Sequence, residues 1–467
     1  MLFQGIKKYG DKIALISNQT GIITYNNIEN QTDILKKKIS SGSFAVLLCE
    51  NSIAPIIYYI FSIKNNCPIM LVDIKTDLTQ IKNIINVYKP SFIVGPNKWV
   101  EENNIDKHKI IYKILNYSIY KTKYNIFPKI NDKLCLLMPT SGSMGSVKFV
   151  KISKENITEN SNSIIKYLKI TSKEKAITNM PFNYSYMLSV INTHIETGAS
   201  IFVTNESIIQ KKFWSDFKEN KITSFNGVPY HYDILIKLGL KNIYHDNIKL
   251  FTQAGGKMNI KNQKITLDFC KKNKINFITM YGQTEASPRI SYLKPKYNTI
   301  KIGSIGKPIP KCKMWIEDSK GKKISKINEI GELVVKGRNV CMGYAKNIND
   351  LKKPDNNNNL LKTGDLAFVD KDGFFYLTGR KSRIIKIFGK RLSLDEIEER
   401  MQKKGISIAC KNKKEELYIY YENSQKKDLI TKNITEITKQ NIIDFKLVLI
   451  KKLPRKLNDK IDYQNLQ

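Results

Sequence analysis

The stretch FAVLLCENSIAPIIYYIFSIKNNCPIMLVDIKTDLTQIKNIINVYKPSFIVGP, residues 44–96, decides the fold class. Three short apolar runs in it are typical of buried strands, and the two segments between these runs have the apolar spacing of helices. The predicted strands are 44–50, 68–73 and 91–96, and the predicted helices are 53–64 and 78–88. This β-α-β-α-β alternation predicts an α/β protein with a parallel sheet covered by helices.

The alternation continues beyond residue 150 and then gives way to two other patterns. The predicted elements are helices at 152–167 and 395–404 and strands at 176–181, 200–205, 223–228, 248–254, 275–281, 416–421 and 445–450. Between 302 and 377, short strands separated by Gly, Pro and Asn predict a small antiparallel sheet or barrel. After residue 380 the chain is predicted to form a compact α+β segment.

The 467 residues carry 78 Lys and Arg against 42 Asp and Glu, a formal net charge of +36. Such a charge attracts nucleic acid, anionic lipid or phosphorylated ligands. Only seven of the basic residues are Arg, and the Lys is spread along the chain with Asn and Ile, which indicates a compositional bias. Because no helix-turn-helix or RNP-like motif accompanies the charge, nucleic acid is not a predicted partner. Five of the seven Arg follow residue 379, which suggests forked hydrogen bonding there.

The apolar pattern and the cysteines predict a cytoplasmic protein. No run of about 18 consecutive apolar residues is present, so no membrane insertion is expected. The first twelve residues, MLFQGIKKYGDK, lack the apolar core of a signal peptide. The seven cysteines never stand in CxxC spacing, and we expect buried free thiols, not a disulfide framework or a zinc site.

The segment TSGSMGSVK, residues 140–148, is the strongest local motif and follows a predicted strand at 133–139. Its hydroxyls and glycines offer closely spaced donors to phosphate oxygens, and its lysine supplies a positive charge. The spacing differs from that of a Walker A loop. A surface loop without ligand is the alternative for this segment alone. The candidate phosphate-binding residues are Thr140, Ser141, Gly142, Ser143, Gly145 and Lys148.

Three further motifs suit the other parts of a nucleotide. In YGQTE, residues 281–285, the ring suits stacking on a base, the Thr hydroxyl suits a phosphate and the Glu suits Mg²⁺. The two glycines within 254–257 have no side chains, so a flat base can approach the backbone there closely. The carboxylate of Asp365 suits two ribose hydroxyls, and Arg380 follows fifteen residues later. The candidate residues are Gly255, Gly256, Lys257, Tyr281, Gly282, Gln283, Thr284, Glu285, Asp365 and Arg380.

Taken in order, these motifs resemble the adenylate-forming superfamily of acyl-CoA synthetases, aryl-CoA ligases, luciferases and adenylation domains. The resemblance extends through "GDKIALI" and "ITYNNI" within 10–28, "IGKPIP" at 305–310, "GELVVKG" at 331–337 and "MGY" at 342–344. It implies a large N-terminal AMP-binding domain, placed at 1–381, and a small mobile C-terminal domain at 382–467. It also implies ATP and Mg²⁺ as cofactors and a first reaction that gives an acyl-adenylate and pyrophosphate.

The resemblance assigns roles to residues of both predicted domains. Residues 140–148 match the phosphate loop, Tyr281 the adenine-stacking aromatic, Thr284 the phosphate-contacting hydroxyl and Glu285 the magnesium carboxylate. The matches in the last part of the chain are Asp365 and Arg380 to the ribose ligands, Ser382 to the hinge, Lys386 to the face used for thioester formation, and Lys460 to the catalytic lysine that bridges the carboxylate and the α-phosphate.

The sequence departs from the family pattern at three positions. Met144 replaces a Thr, Val147 stands where Pro is usual, and Asp459 stands where Gly is usual. One hydroxyl and one fixed φ are lost from the loop, whereas Asp tolerates the left-handed backbone that Gly adopts. The charged positions are intact, so these changes bear on the level of activity, and a catalytically silent nucleotide-binding relative is an alternative.

The segment MPFNYSYM, residues 180–187, corresponds in the resemblance to the acyl-substrate site. Asn183 aligns with the position where amino-acid-activating relatives carry an Asp, and Tyr184 with an aromatic or His that gates the acyl tunnel. A neutral amide does not balance a buried ammonium group, so we expect a simple carboxylic acid as substrate. The alternative is that Tyr184 and Tyr186 pack in the core.

The leading hypothesis is therefore an ATP-dependent acid–thiol ligase that makes an acyl-adenylate and then a thioester. CoA or phosphopantetheine is the expected acceptor, with an acyl carrier protein as a candidate partner. A standalone adenylation enzyme that loads an amino acid or unusual acid onto a carrier protein is the second hypothesis, and the silent relative is the third.

Overall fold

The computed structural model describes residues 1–103, 109–124, 130–139, 148–387, 390–413, 416–423, 427–438, 445–455 and 461–466, without the side chains of 385–387, 390–392 and 436–438. The helices are α1 Tyr25–Lys38, α2 Ile53–Lys64, α3 Leu78–Tyr88, α4 Asn97–Glu102, α5 Lys154–Leu168, α6 Ser185–Thr197, α7 Lys211–Glu219, α8 Pro229–Leu238, α9 Leu240–Ile243, α10 Ile260–Lys272, α11 Leu394–Lys403 and α12 Lys427–Thr438. Short 3₁₀ turns occur at Ile6–Tyr9, Thr284–Ala286, Pro295–Tyr297, Ile348–Lys352 and Lys381–Arg383.

The strands alternate with these helices in the first half of the chain. They are β1 Ile13–Ser17, β2 Gly21–Thr24, β3 Ala45–Cys49, β4 Ile69–Asp73, β5 Phe92–Pro96, β6 Lys109–Ile114, β7 Tyr117–Lys121, β8 Leu134–Pro139, β9 Phe149–Ser153, β10 Lys175–Ile177, β11 Ser200–Phe202, β12 Ser224–Gly227, β13 Leu250–Gln253, β14 Asn276–Gly282, β15 Arg289–Leu293, β16 Lys307–Pro308, β17 Lys313–Glu317, β18 Gly331–Lys336, β19 Tyr344–Ala345, β20 Leu360–Val369, β21 Phe375–Arg380, β22 Ile384–Ile387, β23 Lys390–Ser393, β24 Ile408–Lys413, β25 Glu416–Tyr421 and β26 Phe445–Leu449.

The chain folds into two compact units, each assembled from two separate stretches of sequence. The first comprises Met1–Lys313 and Val335–Leu361, and the second comprises Met314–Val334 and Lys362–Gln467. The predicted domain boundary at residue 382 differs from this division. It is placed there because the resemblance puts a hinge at Ser382, whereas the two units are defined by their compactness. A separate mobile domain beginning at Ser382 stays a prediction.

The first unit is built on two large sheets with parallel centres. One sheet has the order β19-β9-β8-β4-β3-β5-β7-β6, in which β3 runs parallel to β4 and β5, and β4 parallel to β8. The other has the order β12-β13-β14-β15-β16, with β12, β13 and β14 parallel. A third sheet has the order β10-β11-β1-β2. The predicted α/β class is confirmed.

The stretch 44–96 folds as its apolar pattern predicts. Helices α2 and α3 have the predicted bounds, and the three strands β3, β4 and β5 each begin one residue later than predicted. All of β3 is buried, and residues 53–63 of α2 are buried on every side, as expected for an apolar helix inside a core. The continuous apolar runs of these strands follow from burial on both faces of a parallel sheet, which is covered by helices.

The second unit consists of smaller sheets. It contains most of the sheet β17-β18-β20-β21, whose last two strands pair antiparallel, and the two-stranded sheet β22-β23. The sheet β24-β25-β26 carries α11 and α12 in one apolar cluster. These elements agree with the predicted small sheet and the predicted α+β segment.

Other features of the chain concern its cysteines and its helices. All seven cysteines are free thiols, and six of them are buried. Among the described residues, no helix combines the length and apolar character needed to cross a membrane.

Candidate active site

The carboxyl edge of the sheet β12-β13-β14 brings two predicted motifs together. Because β13 and β14 are parallel neighbours, their last residues, Gln253 and Gly282, lie at the same edge of the sheet. The 254–257 motif follows the first strand and the 281–285 motif closes the second. The carboxyl edge of a parallel sheet is the usual place for a ligand in α/β proteins. The fold therefore positions both motifs for one site.

Lys148 is the described part of the predicted phosphate loop. The strands on either side of the loop are antiparallel neighbours, with Pro139 opposite Phe149. Lys148 directly precedes β9, and its Nζ lies 3.7 Å from the centroid of the Tyr344 ring, within cation–π range. The remaining loop residues lie outside the described residues: Thr140, Ser141, Gly142, Ser143, Met144, Gly145, Ser146 and Val147.

Tyr344 connects Lys148 to Glu285. It lies on β19 opposite Val150 of β9, and its hydroxyl donates a 2.9 Å hydrogen bond to Oε1 of Glu285. Partial burial and the neighbouring carboxylate of Glu285 raise the pKa of the Tyr344 phenol, so it remains a donor. A cation, a phenol and a carboxylate are thus assembled from three distant parts of the sequence.

The turn at 282–288 holds Thr284 and Glu285. A Cβ on Gly282 would lie 2.0 Å from the carbonyl oxygen of Pro288, so only glycine fits there. The amide of Gln283 donates to that same carbonyl at 2.9 Å. Thr284 is buried, and its hydroxyl donates to the Ser185 hydroxyl at 3.3 Å. This turn, with Tyr281 buried before it, fixes the backbone of the predicted phosphate and magnesium residues.

Glu285 has the chemistry expected of a magnesium ligand. Its carbonyl oxygen accepts from the Cys341 amide at 2.8 Å, which ties the residue to the strand region before β19. The carboxylate is half-buried and offers an oxygen beside its bond from Tyr344. The described residues contain no cluster of three or more metal-ligating side chains. Mg²⁺ that is bound with a nucleotide needs only one or two carboxylates, because phosphates and water complete its coordination.

The 254–257 motif contacts the predicted acyl-substrate segment. Gly255 has φ +85°, and a Cβ there would lie 2.6 Å from the Tyr184 hydroxyl oxygen. Glycine is therefore required for the close approach of Tyr184 as well as for the left-handed backbone. The carbonyl of Gly256 accepts from the Gln253 side chain at 2.8 Å, and Lys257 is exposed.

The acyl-substrate segment forms the beginning of α6, a helix that the sequence analysis did not predict. Tyr184 precedes the first turn, and burial raises its pKa. The Oδ1 atom of Asn183 is buried and has no hydrogen-bond partner. Tyr186 is fully enclosed, and its hydroxyl bonds to the carbonyl of Thr252 at 3.0 Å, so this ring packs in the core. Tyr184 is only half-buried, which leaves its predicted gating role open as a prediction.

The second unit contains the two predicted ribose ligands, which form an ion pair with each other. Asp365 on β20 lies opposite Arg380 on β21, and Nε of Arg380 is 3.0 Å from Oδ1 of Asp365. Ser382 lies in the exposed 3₁₀ turn Lys381–Arg383. The backbone of Lys386 is paired with Arg391 on β23, whereas its side chain, and the whole of Asp459 and Lys460, lie outside the description.

The sequence analysis gave no role to three residues that lie in or near these motifs. Tyr344 lay in the quoted "MGY" motif but received no role, and Ser185 lay in the acyl-substrate segment. Arg289 is one of only two arginines before residue 380, so the rarity of Arg in this chain is the signal that identifies it. It is 3% exposed and begins β15.

The first unit thus brings Lys148, Tyr344 and Glu285 together within an α/β fold. The family model described as "AMP-binding enzyme" matches residues 2–345, about three quarters of the sequence. The chain therefore belongs to the AMP-binding enzyme family.

Individual relatives within this family are moderately similar. A 2-succinylbenzoate–CoA ligase of Geobacillus sp. (strain WCH70) is 29% identical over 272 residues, which cover 57% of this chain and 53% of that enzyme. A 2-succinylbenzoate–CoA ligase of Bacillus cytotoxicus is 36% identical over 167 residues, 36% of this chain and 33% of that enzyme. The first of these matches thus spans about half the length of the relative.

Solved structures of the same fold cover nearly the whole chain. O-succinylbenzoate coenzyme A synthetase from Bacillus subtilis in complex with AMP superimposes with a TM-score of 0.77 at 19% identity, covering 99% of this chain and 97% of that chain. ATP-bound MatB from Rhodopseudomonas palustris gives 0.79 at 16% identity, with 100% and 98% covered. These similarities establish the fold.

Proposed function

We propose that this chain is an AMP-forming acid–thiol ligase. It activates a carboxylic acid with ATP to an acyl-adenylate, releases pyrophosphate, and then transfers the acyl group to CoA. The observation that carries the proposal is the grouping of Lys148, Tyr344 and Glu285 beside the turn that holds Thr284, within a chain of the AMP-binding family. A cation, a hydroxyl and a carboxylate are the groups needed around a triphosphate.

The chemistry requires charge stabilisation and no general base. A carboxylate is already an anionic nucleophile at neutral pH, and the two deeply buried histidines have pKa values lowered by burial to about 4 (His194 and His231). We assign to Lys148 the neutralisation of phosphate charge, and to the Thr284 hydroxyl, which donates to Ser185 in the structure, a hydrogen bond to a phosphate oxygen when the nucleotide is bound. Mg²⁺, held by Glu285, would supply charge neutralisation for the leaving pyrophosphate. These groups stabilise the charge that develops in the transition state.

The test is carboxylate-dependent ATP–pyrophosphate exchange across fatty, aryl, short-chain and amino acids. The names of the relatives make 2-succinylbenzoate the first acid to include. Glu285→Gln is expected to lower the exchange rate about 10²- to 10³-fold, the usual cost of losing one placed electrostatic group. Glu101→Gln, at an exposed position of α4, is the matched control and is expected to retain full activity.

The catalytic lysine inferred from the resemblance gives a second variant. Lys460→Ala is expected to abolish most adenylate formation while nucleotide binding persists. Exchange at the wild-type rate in this variant would contradict the assignment. If no acid supports exchange although the protein binds ATP, the silent nucleotide-binding relative becomes the better description.

The acceptor is tested separately, after an acid has been found. We propose CoA, since thioester formation is the second reaction of the acid–CoA ligases to which this chain is similar. CoA-dependent release of AMP with formation of the acyl-CoA is the expected result. Acyl transfer only to a phosphopantetheinylated carrier protein would favour the standalone adenylation enzyme.

A further inference from the structure

The segment 342–356 forms a closed loop beside the candidate active site of the first unit. The amide of Asn356 donates to the carbonyl of Met342 at 3.4 Å, so the two ends of the loop lie together. Near its beginning the loop carries Tyr344, the central residue of the cation–phenol–carboxylate grouping. Compact loops of this kind, with their ends close together, are frequently functional. The contacts that hold the 342–356 loop in place therefore bear on the site.

Lys151 of β9 is buried against this loop. Its side chain is 1% exposed, and its Nζ donates hydrogen bonds to the carbonyls of Asp350, Lys353 and Pro354 at 3.2, 3.0 and 3.5 Å. An ammonium group has three N–H donors, so the loop takes up all of them. The three carbonyls lie near the end of the 3₁₀ turn of the loop and directly after it. Carbonyls at the end of a helical turn need donors from outside the turn.

The backbone of Lys151 binds the beginning of the same loop. Its amide donates to the carbonyl of Gly343, and its carbonyl accepts from the amide of Met342, each at 2.8 Å. These two bonds lie next to the pairing of Tyr344 with Val150. Lys151 thus holds the loop on both sides of Tyr344, with its backbone before that residue and with its ammonium group after it.

The charge of Lys151 is bound by the backbone of the loop. Burial lowers the pKa of Lys151, and the nearby carboxylates of Asp350 and Asp355 act in the opposite direction. The Asp350 carboxylate is engaged within the loop, since it accepts from the Lys346 amide at 2.7 Å and pairs with Lys353 at 2.6 Å. A buried ammonium is costly unless its hydrogen bonds are well made. These bonds depend on where the loop places its carbonyls, so the ammonium favours one loop conformation.

We propose that Lys151 is a positioning residue, whose ammonium holds the 342–356 loop so that Tyr344 stays against Lys148 and Glu285 when MgATP binds. The inference rests on the proposed function, in which Lys148 and Glu285 act on the phosphates and the metal. Groups that are already in place need no rearrangement when the charge of the transition state develops. The ammonium serves as a cation bound by the loop, so a free alkylammonium ion is expected to replace it when the side chain is removed.

The first experiment uses Lys151→Ala and its chemical rescue. The substitution removes the atoms from Cγ to Nζ, and propylammonium has the same three carbons and nitrogen. In pyrophosphate exchange the kcat/KM for MgATP is expected to fall about 10- to 100-fold, the scale of a small misplacement of active-site groups. Propylammonium chloride is expected to restore part of it. Tetramethylammonium chloride has no N–H donor and is expected to restore nothing, and the wild type to respond to neither salt.

A double-mutant cycle tests whether Lys151 acts through Tyr344. Lys151→Met keeps most of the apolar stem, and its loss is expected mainly as a higher KM for MgATP. Tyr344→Ala removes both the ring and the hydroxyl. In that background Lys151→Met is expected to cause little further loss, because the residue that it positions is absent. Losses that multiply within about twofold would show two independent residues and overturn the inference.

Lys154→Ala is the matched control. Lys154 is also partly buried, and its Nζ donates to the carbonyl of Lys64 at 3.5 Å and to Oδ1 of Asn66 at 3.1 Å, not to the 342–356 loop. It is expected to retain exchange activity and to respond to neither salt. Equal rescue of Lys151→Ala by both salts would overturn the inference. Failure of both Lys151 variants to fold, measured by circular dichroism, would show that Lys151 supports the whole first unit and would overturn it as well.

Nucleotide binding separates this inference from the proposed function. Isothermal titration with MgATP, without acid, is expected to show weaker binding by Lys151→Ala and recovery with propylammonium. If no acid supports exchange but this binding pattern is found, the proposed function fails and the positioning role stands. If the wild type and Lys151→Ala catalyse exchange at the same rate, the proposed function stands and the inference fails.

Discussion

Arg289 in the first unit and Arg383 in the second both carry a largely buried guanidinium, but their surroundings are opposite. Arg383 forms ion pairs with Asp395 and, at 2.7 Å, with Glu398, and its guanidinium carbon lies 3.9 Å from the centroid of the Tyr463 ring. Arg289 instead lies against the face of the Tyr186 ring, and its Nε is buried without a hydrogen-bond partner. One cation is compensated by the protein itself, and the other lacks compensation from the described residues.

The difference separates a charge that ion pairs compensate from a charge without an ion pair among the described residues. In the second unit, burial raises the pKa of Glu398 while Arg383 lowers it, and the Glu398 carboxylate also accepts from the Cys410 amide at 2.6 Å. Arg383, Asp395, Glu398 and Tyr463 thus provide the charge and hydrogen-bond partners for one another. In the first unit no ion pair among the described residues compensates Arg289. Breaking a compensated cluster is costly, whereas removing an uncompensated charge is not.

The largest effect is expected from Arg383→Met. The substitution leaves Glu398 buried without its counter-charge, and the free energy of unfolding of the second unit is expected to fall by about 3–5 kcal/mol. Urea unfolding and hydrogen exchange of the Cys410 amide report this loss. Arg400→Met is the matched control, because its ion pair with Glu396 is about half exposed on both sides and is expected to contribute about 0.5 kcal/mol or less. Equal losses in the two variants would contradict the comparison.

The pH dependence of that loss is the second prediction. A carboxyl whose folded pKa lies above its unfolded value destabilises the fold at neutral pH, and this penalty is relieved as the pH falls through the folded pKa. The folded pKa of Glu398 is already raised by burial, and without Arg383 it is expected to rise further. The destabilisation by Arg383→Met is therefore expected to shrink as the pH is lowered from 7 toward 5. A loss that is constant over this range would show that Glu398 does not carry it.

A smaller effect is expected from Tyr463→Phe. The Tyr463 hydroxyl donates a 2.7 Å hydrogen bond to Oε2 of Glu398, and burial together with that carboxylate raises the pKa of Tyr463, so it remains a donor. Removing the donor from a buried carboxylate is expected to cost about 1–3 kcal/mol, measured by the same unfolding experiment. Tyr418→Phe, whose hydroxyl contacts the more exposed Glu416, is expected to cost less.

The sequence predicted regions where burial alone decides structure and missed residues where distant contacts decide it. The bounds of α2 and α3 follow from apolar spacing, which is a local property. The grouping of Lys148, Tyr344 and Glu285 depends on the pairing of β19 with β9, which spacing does not reveal. Helix α6 was missed because its polar residues mask its period, although residues 185–195 are all buried.

The two arginines show the same limit of sequence reasoning. The concentration of arginine after residue 379 drew attention to the second unit, where Arg383 and Arg380 do form specific ion pairs. Arg289 stood outside that concentration and received no role. A single residue gives no periodic pattern, so the rarity of Arg before residue 380 was the one signal in the sequence that set Arg289 apart from the many lysines.

The smallest effect is expected from Arg289→Met in the absence of ligand. The variant loses a cation–π contact of about 0.5–2 kcal/mol with Tyr186, but it also removes the cost of a buried unpaired charge. The free energy of unfolding of the first unit is therefore expected to stay within about 1 kcal/mol of the wild type, like that of Arg338→Met, whose pair with Glu155 is exposed. If Arg289→Met instead costs as much as Arg383→Met, a counter-charge within the protein already compensates Arg289. The two arginines would then belong to the same class of compensated buried charges.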